Sequence, residues 1–412
     1  MKTLIIIGYV WPEPNSSAAG SRMMQLIRAF QQDGYAVTFA SPAEDSPHAP
    51  DLAQYDITAV RIALNCSSFD QWIAEQAPDV VMFDRFMMEE QFGWRVEEHC
   101  PTALRILDME DVHCLRDARH RAVKRGQPWQ ADDIHHDLAY REIAAIARCD
   151  LTLVISEFEM QWLAETFPVP ASQLVYCPFM VTPPDPASVL PLASRQQFVS
   201  IGNFRHAPNW DAVLTLREYW PAVRRRLPNA EVHVYGAYPP KKATQLHNEA
   251  IGFWIKGWAE DARAVVGEAR ALLAPLRFGA GLKGKLLEAA ELGTPAVTTD
   301  IGAEGMYDAS LPSPALIAND ETSFVEVLVS LSERDDLWQA LSQSGPLQVA
   351  HRFNVANHAP ALIARVNNTR HALAAHRQSS FIGGMLRHHS MRSTKYMSQW
   401  IEAKNRSPDG ER

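Results

Sequence analysis

Two lysines stand in a glycine-bearing stretch, APLRFGAGLKGKLLEAAELGTPAVTTDIGAEGM, which begins at Ala274. An apolar run leads into a loop that contains Gly279 and Gly281, and a helix is predicted to begin between Lys283 and Lys285. The backbone N–H groups of such a loop can approach a phosphate closely, and a helix N-terminus adds partial positive charge. The two lysines would add full charges, so the stretch predicts a site for a phosphorylated ligand.

A carboxylate follows on the same predicted helix. Glu288 lies three residues after Lys285, which is about one helical turn, so the two side chains can share a face. A carboxylate there could accept hydrogen bonds from two ribose hydroxyls. Taken singly, lysines and a glutamate in a first turn are more often a solvated helix face than a binding site.

The whole string is more specific, because it resembles the donor-binding motif of glycosyltransferase family 4. In that motif a K-x-x-E-A core follows a glycine loop and precedes G-x-P-V-V and G-x-E-G. The resemblance covers most of residues 198–355 and, more loosely, the N-terminal half. It implies a GT-B fold, in which two doubly wound Rossmann-like α/β domains face a central cleft. It also implies a retaining enzyme that moves a hexose-type sugar from a nucleoside diphosphate to a hydroxyl.

The roles of the family's residues carry over to matching positions. Lys285 matches the position that binds the donor diphosphate and supports catalysis, and Glu288 matches the ribose-binding glutamate. Gly279 and Gly281 match the loop whose amides face the sugar and phosphate, and Lys283 adds positive charge beside them.

For two further positions of this motif, the role in the family cannot simply be assigned to the residue in this sequence. Glu304, in DIGAEGM, matches a family carboxylate that faces the cleft, although an exposed loop glutamate explains it equally well. Many members carry a second glutamate where this sequence has Ala280. How the hydroxyls of the donor sugar are recognised therefore cannot be copied from the family.

A second loop of the same domain, FVSIGNFRHAPNWDAV, resembles the family's segment that closes over the diphosphate. Gly202 and Arg205 fit this loop as donor-binding residues, while the lysine that commonly follows them is absent. Arg205 is a second phosphate candidate, with an ordinary surface loop as the alternative.

The N-terminal half offers an acceptor-side loop, GYVWPEPNSSAAGSRMMQLI. It resembles the family's first loop, and Ser17, Ala19 and Gly20 stand where close backbone approach to the acceptor is required. Small residues are also ordinary in loops, so this match supports the fold more than it identifies a catalyst.

The segment LRILDMEDVHCLRD places Asp108, Glu110, Asp111 and His113 after a predicted strand, at the sheet edge where doubly wound folds bind ligands. The resemblance suggests Asp108 or His113 as the group that contacts the donor sugar or acceptor. Asp and His together also invite a metal site, but the family type is usually metal-independent. No metal or other cofactor is expected.

Predicted strands alternate with helices along most of the chain. Apolar runs begin at Leu4, Ala36, Asp79, Leu104 and Leu151, and a second series begins at Phe198, Glu231, Phe253, Ala271, Pro295 and Pro314. Runs that are apolar throughout are typical of parallel strands buried on both faces. Ser156 and Glu159 predict a capping box at the start of one helix.

The Pro-rich stretch VTPPDPASVLPLAS separates the two series and predicts a linker. We therefore expect an acceptor-side domain over residues 1–185, a nucleotide-sugar domain over residues 195–355, and a helical C-terminal region over residues 356–412. The tail from residue 365 is rich in His, Arg and Ser. A solvated or poorly ordered tail is the favoured interpretation, with a partner contact or a membrane-surface element as alternatives.

Composition limits the partners. The 412 residues carry a formal net charge of -9, which argues against nucleic-acid binding. Five scattered cysteines without a CxxC pair indicate neither a disulfide framework nor a zinc site, so a cytoplasmic location is expected. No apolar run reaches the length of a membrane span, so membrane association, for instance at the inner face, would have to be peripheral.

Three functions remain in view at this point. The first is a glycosyltransferase in surface glycan or glycoconjugate biosynthesis, with a glycan, lipid-linked or protein acceptor. The nearest enzyme rival is a nucleotide-sugar epimerase or a phosphorylase, and Ala280 argues against the epimerase. The third is a catalytically degenerate GT-B protein that binds a nucleotide sugar or a partner glycosyltransferase.

Overall fold

Seven parallel strands form the first sheet of the computed structural model, which describes residues 2–406. The strands are β1 (Lys2–Ile7), β2 (Tyr35–Ser41), β3 (Ile57–Arg61), β4 (Val80–Asp84), β5 (Leu104–Asp108), β6 (Leu151–Val154) and β7 (Leu174–Tyr176). Their order across the sheet is β3-β2-β1-β4-β5-β6-β7. The helices that connect them are α1 (Ala18–Gln32), α2 (Ser68–Gln76), α3 (Phe86–His99), α4 (His113–Arg125), α5 (Asp137–Arg148) and α6 (Glu157–Thr166).

Six parallel strands form a second sheet within the same described residues. They are β8 (Gln196–Ile201), β9 (Val232–Tyr235), β10 (Phe253–Gly257), β11 (Ala269–Ala274), β12 (Ala296–Thr298) and β13 (Ala315–Ile317), in the order β10-β9-β8-β11-β12-β13. The helices of this half are α7 (Ala207–Arg226), α8 (Lys241–Thr244), α9 (Ala262–Gly267), α10 (Gly284–Glu291), α11 (Asp300–Ala303), α12 (Glu321–Glu333) and α13 (Asp335–Arg352).

The central strands are mostly apolar because helices cover both faces of each sheet. Leu4, Ile6 and Ile7 of β1 are fully buried, and every residue of β4 and β5 is buried. The predicted strands are confirmed. Strands β3 and β7 escaped sequence prediction, since β3 is an edge strand with mostly exposed residues and β7 has only three residues.

The strand order reverses once in each sheet. In the first sheet the reversal lies between β1 and β4, and in the second between β8 and β11. Open α/β sheets bind ligands outside the carboxyl ends of the strands at this switch point. The loops after these four strands therefore define where a binding site should lie.

The C-terminal region returns to the first domain through α14 (Val355–His371), α15 (Leu373–Ser379) and α16 (Phe381–Arg406). Leu362 and Val366 of α14 are buried in the core formed by β1 and α1. Helix α16 packs on α3 and α5. The predicted helical C-terminal region is therefore confirmed, whereas the interpretation of its end as a solvated or poorly ordered tail is wrong for residues 365–406, which form packed helices. Residues 407–412 lie outside the described residues.

The proposed domain limits stay predictions, although the two sheets fall within the first two predicted ranges. Across residues 2–406, every helix is too short or too polar to cross a lipid bilayer.

Candidate functional site

Lys285 lies where the second sheet's switch point meets a helix N-terminus. It is the second residue of α10, and its Nζ donates a hydrogen bond to Asn209 Oδ1 at 2.9 Å. Gly202 follows β8, and a Cβ atom there would stand 2.8 Å from the same Nζ. The structure thus brings Gly202 and Lys285 together at the loops after β8 and β11, and their predicted role in donor binding stays a prediction.

Among the described residues, the Lys285 ammonium has no acidic partner. Burial lowers its pKa to about 8, and no carboxylate of residues 2–406 forms an ion pair with it. Holding a cation away from water costs free energy unless an anion compensates its charge. The surroundings of Lys285 therefore suit an anionic ligand that the protein does not itself supply.

Lys283 has quite different surroundings, although it is only two residues away. Its side chain is buried, and its Nζ donates to the carbonyl oxygen of Gly281 at 2.7 Å. Burial lowers its pKa to about 8, while the nearby carboxylates of Glu304 and Glu159 oppose that change. Lys283 is thus already compensated by the protein, and it packs the loop rather than facing a free anion site.

Glu304 is held by an arginine of the first domain. Arg119 on α4 donates from Nη1 and Nη2 to the two carboxylate oxygens of Glu304, each at 2.8 Å. The same Nη1 donates to the carbonyl oxygen of Gly279 at 2.8 Å. A bidentate pair of this kind fixes geometry as well as charge. In this structure Glu304 and Gly279 join the two domains.

Glu159 makes a second link between the domains. Its Oε1 accepts from the backbone N–H groups of Gly281 at 2.7 Å and of Val112 at 3.0 Å. The predicted capping box with Ser156 is wrong, because the Ser156 side chain forms no cap hydrogen bond and Glu159 binds these distant amides instead. The Gly281 amide is consequently occupied by a protein carboxylate.

Glu288 lies on α10, one turn beyond Lys285. Burial raises its pKa to about 7, and the nearby Glu291 acts in the same direction while Arg263 opposes it. Arg263 itself forms an ion pair with Glu291 at 3.0 Å. Glu288 is left half-buried, and a hydroxyl-bearing ligand at this helix could stabilise its ionised form.

Arg205 does not lie beside Lys285. It is exposed, and its guanidinium lies 3.7 Å from the centre of the Tyr238 ring at the rim of the cleft. The next residue, His206, lies among Asp111, Arg116 and Lys285, whose charges act on it. The His206 side chain is exposed, and the protein around it together with the charge of Arg116 lowers the pKa of its imidazole.

The predicted acceptor loop is explained largely by its own structure. Ser17 caps α1, because its Oγ accepts from the N–H of Gly20 at 3.1 Å. A Cβ atom at Gly20 would lie 2.4 Å from the backbone of Glu13, so glycine is required by the loop itself. Ala19 is half-buried, and the neighbouring Ala18 packs against Gly284 at the start of α10.

Asp108 lies beneath the sheet edge and is fully buried. Its Oδ1 accepts from Nε and Nη2 of Arg22 at 3.2 and 2.9 Å, and Arg22 also donates to the carbonyl oxygen of Cys177. This arrangement joins β5 to α1 and to the segment after β7. Asp108 therefore forms a buried ion pair and does not line the cleft.

His113 is positioned by acidic neighbours at the start of α4. Its Nδ1 is 2.9 Å from the carbonyl oxygen of Asp111 and 3.3 Å from carboxylate oxygens of Asp111 and Glu142. Burial disfavours the charged ring, but these carboxylates outweigh it, and the His113 pKa is raised. Since Nδ1 has these partners, Nε2 is the ring nitrogen that no described residue binds.

Two residues at the carboxyl edge of the first sheet, Tyr9 and Arg85, were missed in the sequence, and Glu110 was placed at this edge but given no role. Arg85 and Glu110 follow β4 and β5, and both have left-handed backbones, with φ of 70° and 67°. Arg85 lies over the ring of the exposed Tyr9, 5.3 Å from its centre. Burial, together with Asp108, raises the pKa of Glu110 to about 8.

Strained backbones of this kind cost roughly 1–3 kcal/mol each and cluster at functional sites. The signal in the sequence was positional only, since Tyr9 and Arg85 follow the switch-point strands β1 and β4, and Glu110 follows the neighbouring strand β5. Arg116 was missed as well. It forms an ion pair with Asp111, and its place on α4 one turn beyond His113 was the signal that could have found it.

No metal site accompanies these groups. Within residues 2–406, no cluster of three His, Cys, Asp or Glu side chains could hold a metal ion. Metal independence itself stays a prediction.

Comparison with known proteins agrees with this geometry. Residues 195–334 match the family model of the glycosyl transferases group 1. No curated protein matches the sequence.

Solved structures resemble the chain in fold. HepE of Anabaena, in complex with UDP and glucose, has a TM-score of 0.67 at 10% identity, with 89% of this chain and 100% of that chain covered. Sucrose-phosphate synthase of Thermosynechococcus elongatus has a TM-score of 0.66 at 15% identity, with 91% and 100% covered. TarM of S. aureus, in complex with UDP and alpha-GlcNAc-glycerol, has a TM-score of 0.57 at 11% identity, and this chain spans 58% of its length.

The chain thus has the GT-B fold, with two Rossmann-like parallel-sheet domains and a helical C-terminal region. Its second domain carries the glycosyl transferases group 1 match, and this match contains both Lys285 and Glu288.

Proposed function

We propose that this protein is a glycosyltransferase that moves a sugar from a nucleoside-diphosphate sugar to a hydroxyl of an acceptor. The observation that carries the proposal is Lys285, a half-buried cation at the N-terminus of α10 with which no carboxylate of the described residues pairs. A diphosphate supplies the missing negative charge, and the helix N-terminus adds to its stabilisation.

Lys285 acts on the leaving group in this proposal. When the bond between the sugar and the diphosphate breaks, negative charge grows on the departing phosphate. A preorganised cation beside that oxygen stabilises the transition state more than the ground state. Glu288, one turn along α10, accepts hydrogen bonds from the ribose and so fixes the nucleotide relative to Lys285.

The acceptor lies against the carboxyl ends of β1, β4 and β5. There Tyr9 and Arg85 offer a ring and a guanidinium, and Glu110 offers a carboxyl group whose raised pKa suits it to share a proton with a hydroxyl. His113, oriented through Nδ1, presents Nε2 to the donor sugar or to the acceptor. Positioning two substrates in one cleft supplies much of the acceleration for such a reaction.

The finer features of the reaction are proposed on the resemblance to family 4. They are a hexose-type donor, retention of anomeric configuration, and a role in surface glycan or glycoconjugate biosynthesis. Metal independence is also proposed, since Lys285 and the N-terminus of α10 would neutralise the diphosphate. Activity that survives a chelator would agree, and activity restored only by a divalent cation would contradict it.

A panel of nucleotide sugars tests the proposal. Each donor is incubated with the full chain, and release of nucleoside diphosphate is measured with and without simple glycoside acceptors. Turnover with at least one donor is expected. Binding of a nucleotide sugar without turnover of any donor would favour the catalytically degenerate alternative, and neither binding nor turnover would overturn both.

A further inference from the structure

The outer face of α16 carries an unusual concentration of exposed apolar side chains. Six of the sixteen large hydrophobic side chains exposed in the described chain lie between residues 381 and 400. They are Phe381 (82% exposed), Ile382 (47%), Met385 (48%), Tyr396 (65%), Met397 (58%) and Trp400 (59%). Soluble surfaces rarely group so many apolar side chains, and such a patch usually marks an interaction site.

These side chains share one side of the helix. Phe381, Met385, Tyr396 and Trp400 follow one another at separations of four, eleven and four residues, which places them on one face at 3.6 residues per turn. The run from Phe381 to Trp400 extends over roughly 30 Å at the rise of an α-helix. The patch is therefore long and narrow, and it follows the helix axis.

The opposite side of α16 fastens the helix to the first domain. Arg95 Nη2 donates to Ser398 Oγ at 3.0 Å, Lys395 pairs with Glu98 at 2.6 Å, and Ser67 Oγ donates to Glu402 at 2.7 Å. Met391 is buried against the same domain. Because these contacts fix the inner side of α16 to the first domain, the apolar outer face points toward solvent.

The charge on the outer face has one sign. The exposed positions of α16 include Arg392 and Lys404 together with His388 and His389, and the helix's single acidic residue, Glu402, is bonded on the inner side. The whole chain, by contrast, has a formal net charge of -9. A positive apolar strip on an otherwise acidic protein is complementary to an anionic surface and would orient the protein toward it.

We propose that α16 lies flat on an anionic lipid bilayer and docks the protein to it. Aromatic side chains with polar edges, such as Trp400 and Tyr396, favour the headgroup region, and Arg392 and Lys404 pair with lipid phosphates. A second copy of this chain is a poorer occupant. Two copies related by a twofold axis would bring basic residues together with no carboxylate on either face to balance them.

Vesicle sedimentation with the full chain tests this proposal. Binding is measured on phosphatidylcholine vesicles with and without phosphatidylglycerol, for the wild type and for two variants. One variant combines Phe381→Ser, Tyr396→Ser and Trp400→Ser, and the other combines Arg392→Glu and Lys404→Glu. A matched control removes exposed leucines elsewhere, through Leu214→Ser and Leu347→Ser, which are 40% and 54% exposed.

The wild type and the leucine control should bind the anionic vesicles, more weakly at high salt, and the two α16 variants should bind at least about tenfold less tightly. Circular dichroism and donor turnover should be unchanged in both variants, because these side chains lie outside the cleft and the core. Three results would overturn the proposal. They are no binding by folded wild type, equal loss in the leucine control, or a concentration-dependent dimer that the α16 variants abolish.

Discussion

The two lysines at the start of α10 belong to different regions of the cleft. Lys285 lies in the proposed donor region, where its ammonium contacts Asn209 and the loop after β8 but no carboxylate of the described residues. Lys283 belongs to the interdomain contact, where Glu304, Glu159 and Arg119 surround it. Only the first region leaves a charge for a ligand to compensate. A lysine's type and spacing alone do not distinguish a ligand-binding cation from a structural one.

The largest effect is expected from Lys285→Ala. In the proposed reaction Lys285 stabilises the leaving diphosphate, so its loss should lower kcat with the best donor by at least ~100-fold. The melting temperature should not fall, since a costly buried charge is removed. Steady-state kinetics and thermal melting measure the two effects. The matched control is Lys256→Ala, an exposed lysine on β10, which should change neither. Equal losses of activity in the two variants would remove the special role of Lys285.

A substitution in the interdomain contact should lower the stability of the protein. Glu304→Gln breaks the bidentate pair with Arg119 and leaves a buried guanidinium without its counter-charge, which should cost about 2–3 kcal/mol in the free energy of unfolding. Urea unfolding measures this change. Glu44→Gln, which removes one partner of an exposed pair with Arg61, is the control and should cost less than about 0.5 kcal/mol. If both variants unfold alike, the Arg119–Glu304 pair does not hold the domains together.

The donor region can be examined further through Glu288→Gln. A neutral amide binds ribose hydroxyls less strongly than a carboxylate, so KM for the donor should rise about tenfold with a smaller change in kcat. A donor with a deoxyribose ring separates the role from a structural one. The wild type should discriminate against the deoxyribose donor, and the variant should discriminate much less. Undiminished discrimination in the variant would place the ribose elsewhere.

The smallest effect is a few-fold dependence of donor affinity on pH. Burial lowers the pKa of Lys285 to about 8, so its charge, and with it diphosphate affinity, is lost as pH rises through 8. Burial raises the pKa of Glu288 to about 7, so its carboxylate form is lost as pH falls through 7. Affinity for a nucleotide sugar should therefore be highest between about pH 7 and 8. Calorimetric titration across pH should show the alkaline decline vanish in Lys285→Met and the acidic decline vanish in Glu288→Gln. Unchanged profiles in these variants would contradict both assignments.

Much of the fold follows from local patterns. Apolar runs predicted the central strands, because parallel strands buried on both faces have a distinctive composition. The motif around Lys285 and Glu288 was also recognisable from the sequence, because its residues lie in one continuous stretch of the chain. Strand β3 was missed because it is an edge strand, whose exposed residues carry a weak pattern.

The rest of the site depends on contacts between distant parts of the chain. Glu159 was predicted to cap its own helix, but it binds the amide of Gly281, more than a hundred residues away. Arg119 and His206 acquire their surroundings only when the two domains meet. Asp108 shows the opposite kind of error. Its place at the end of a strand predicted that it would line the cleft, but Arg22 on α1 pairs with it and buries it.

Titration calorimetry with nucleoside diphosphates at pH 7 tests the central claim most directly. UDP, GDP and ADP are each titrated into the wild type, into Lys285→Met and into Lys256→Met. At least one nucleotide should bind the wild type and Lys256→Met with equal affinity and bind Lys285→Met at least about tenfold more weakly, as expected for a lost charge-assisted contact. Equal affinity of all three proteins for every nucleotide that binds would contradict the assignment of Lys285 to the donor diphosphate.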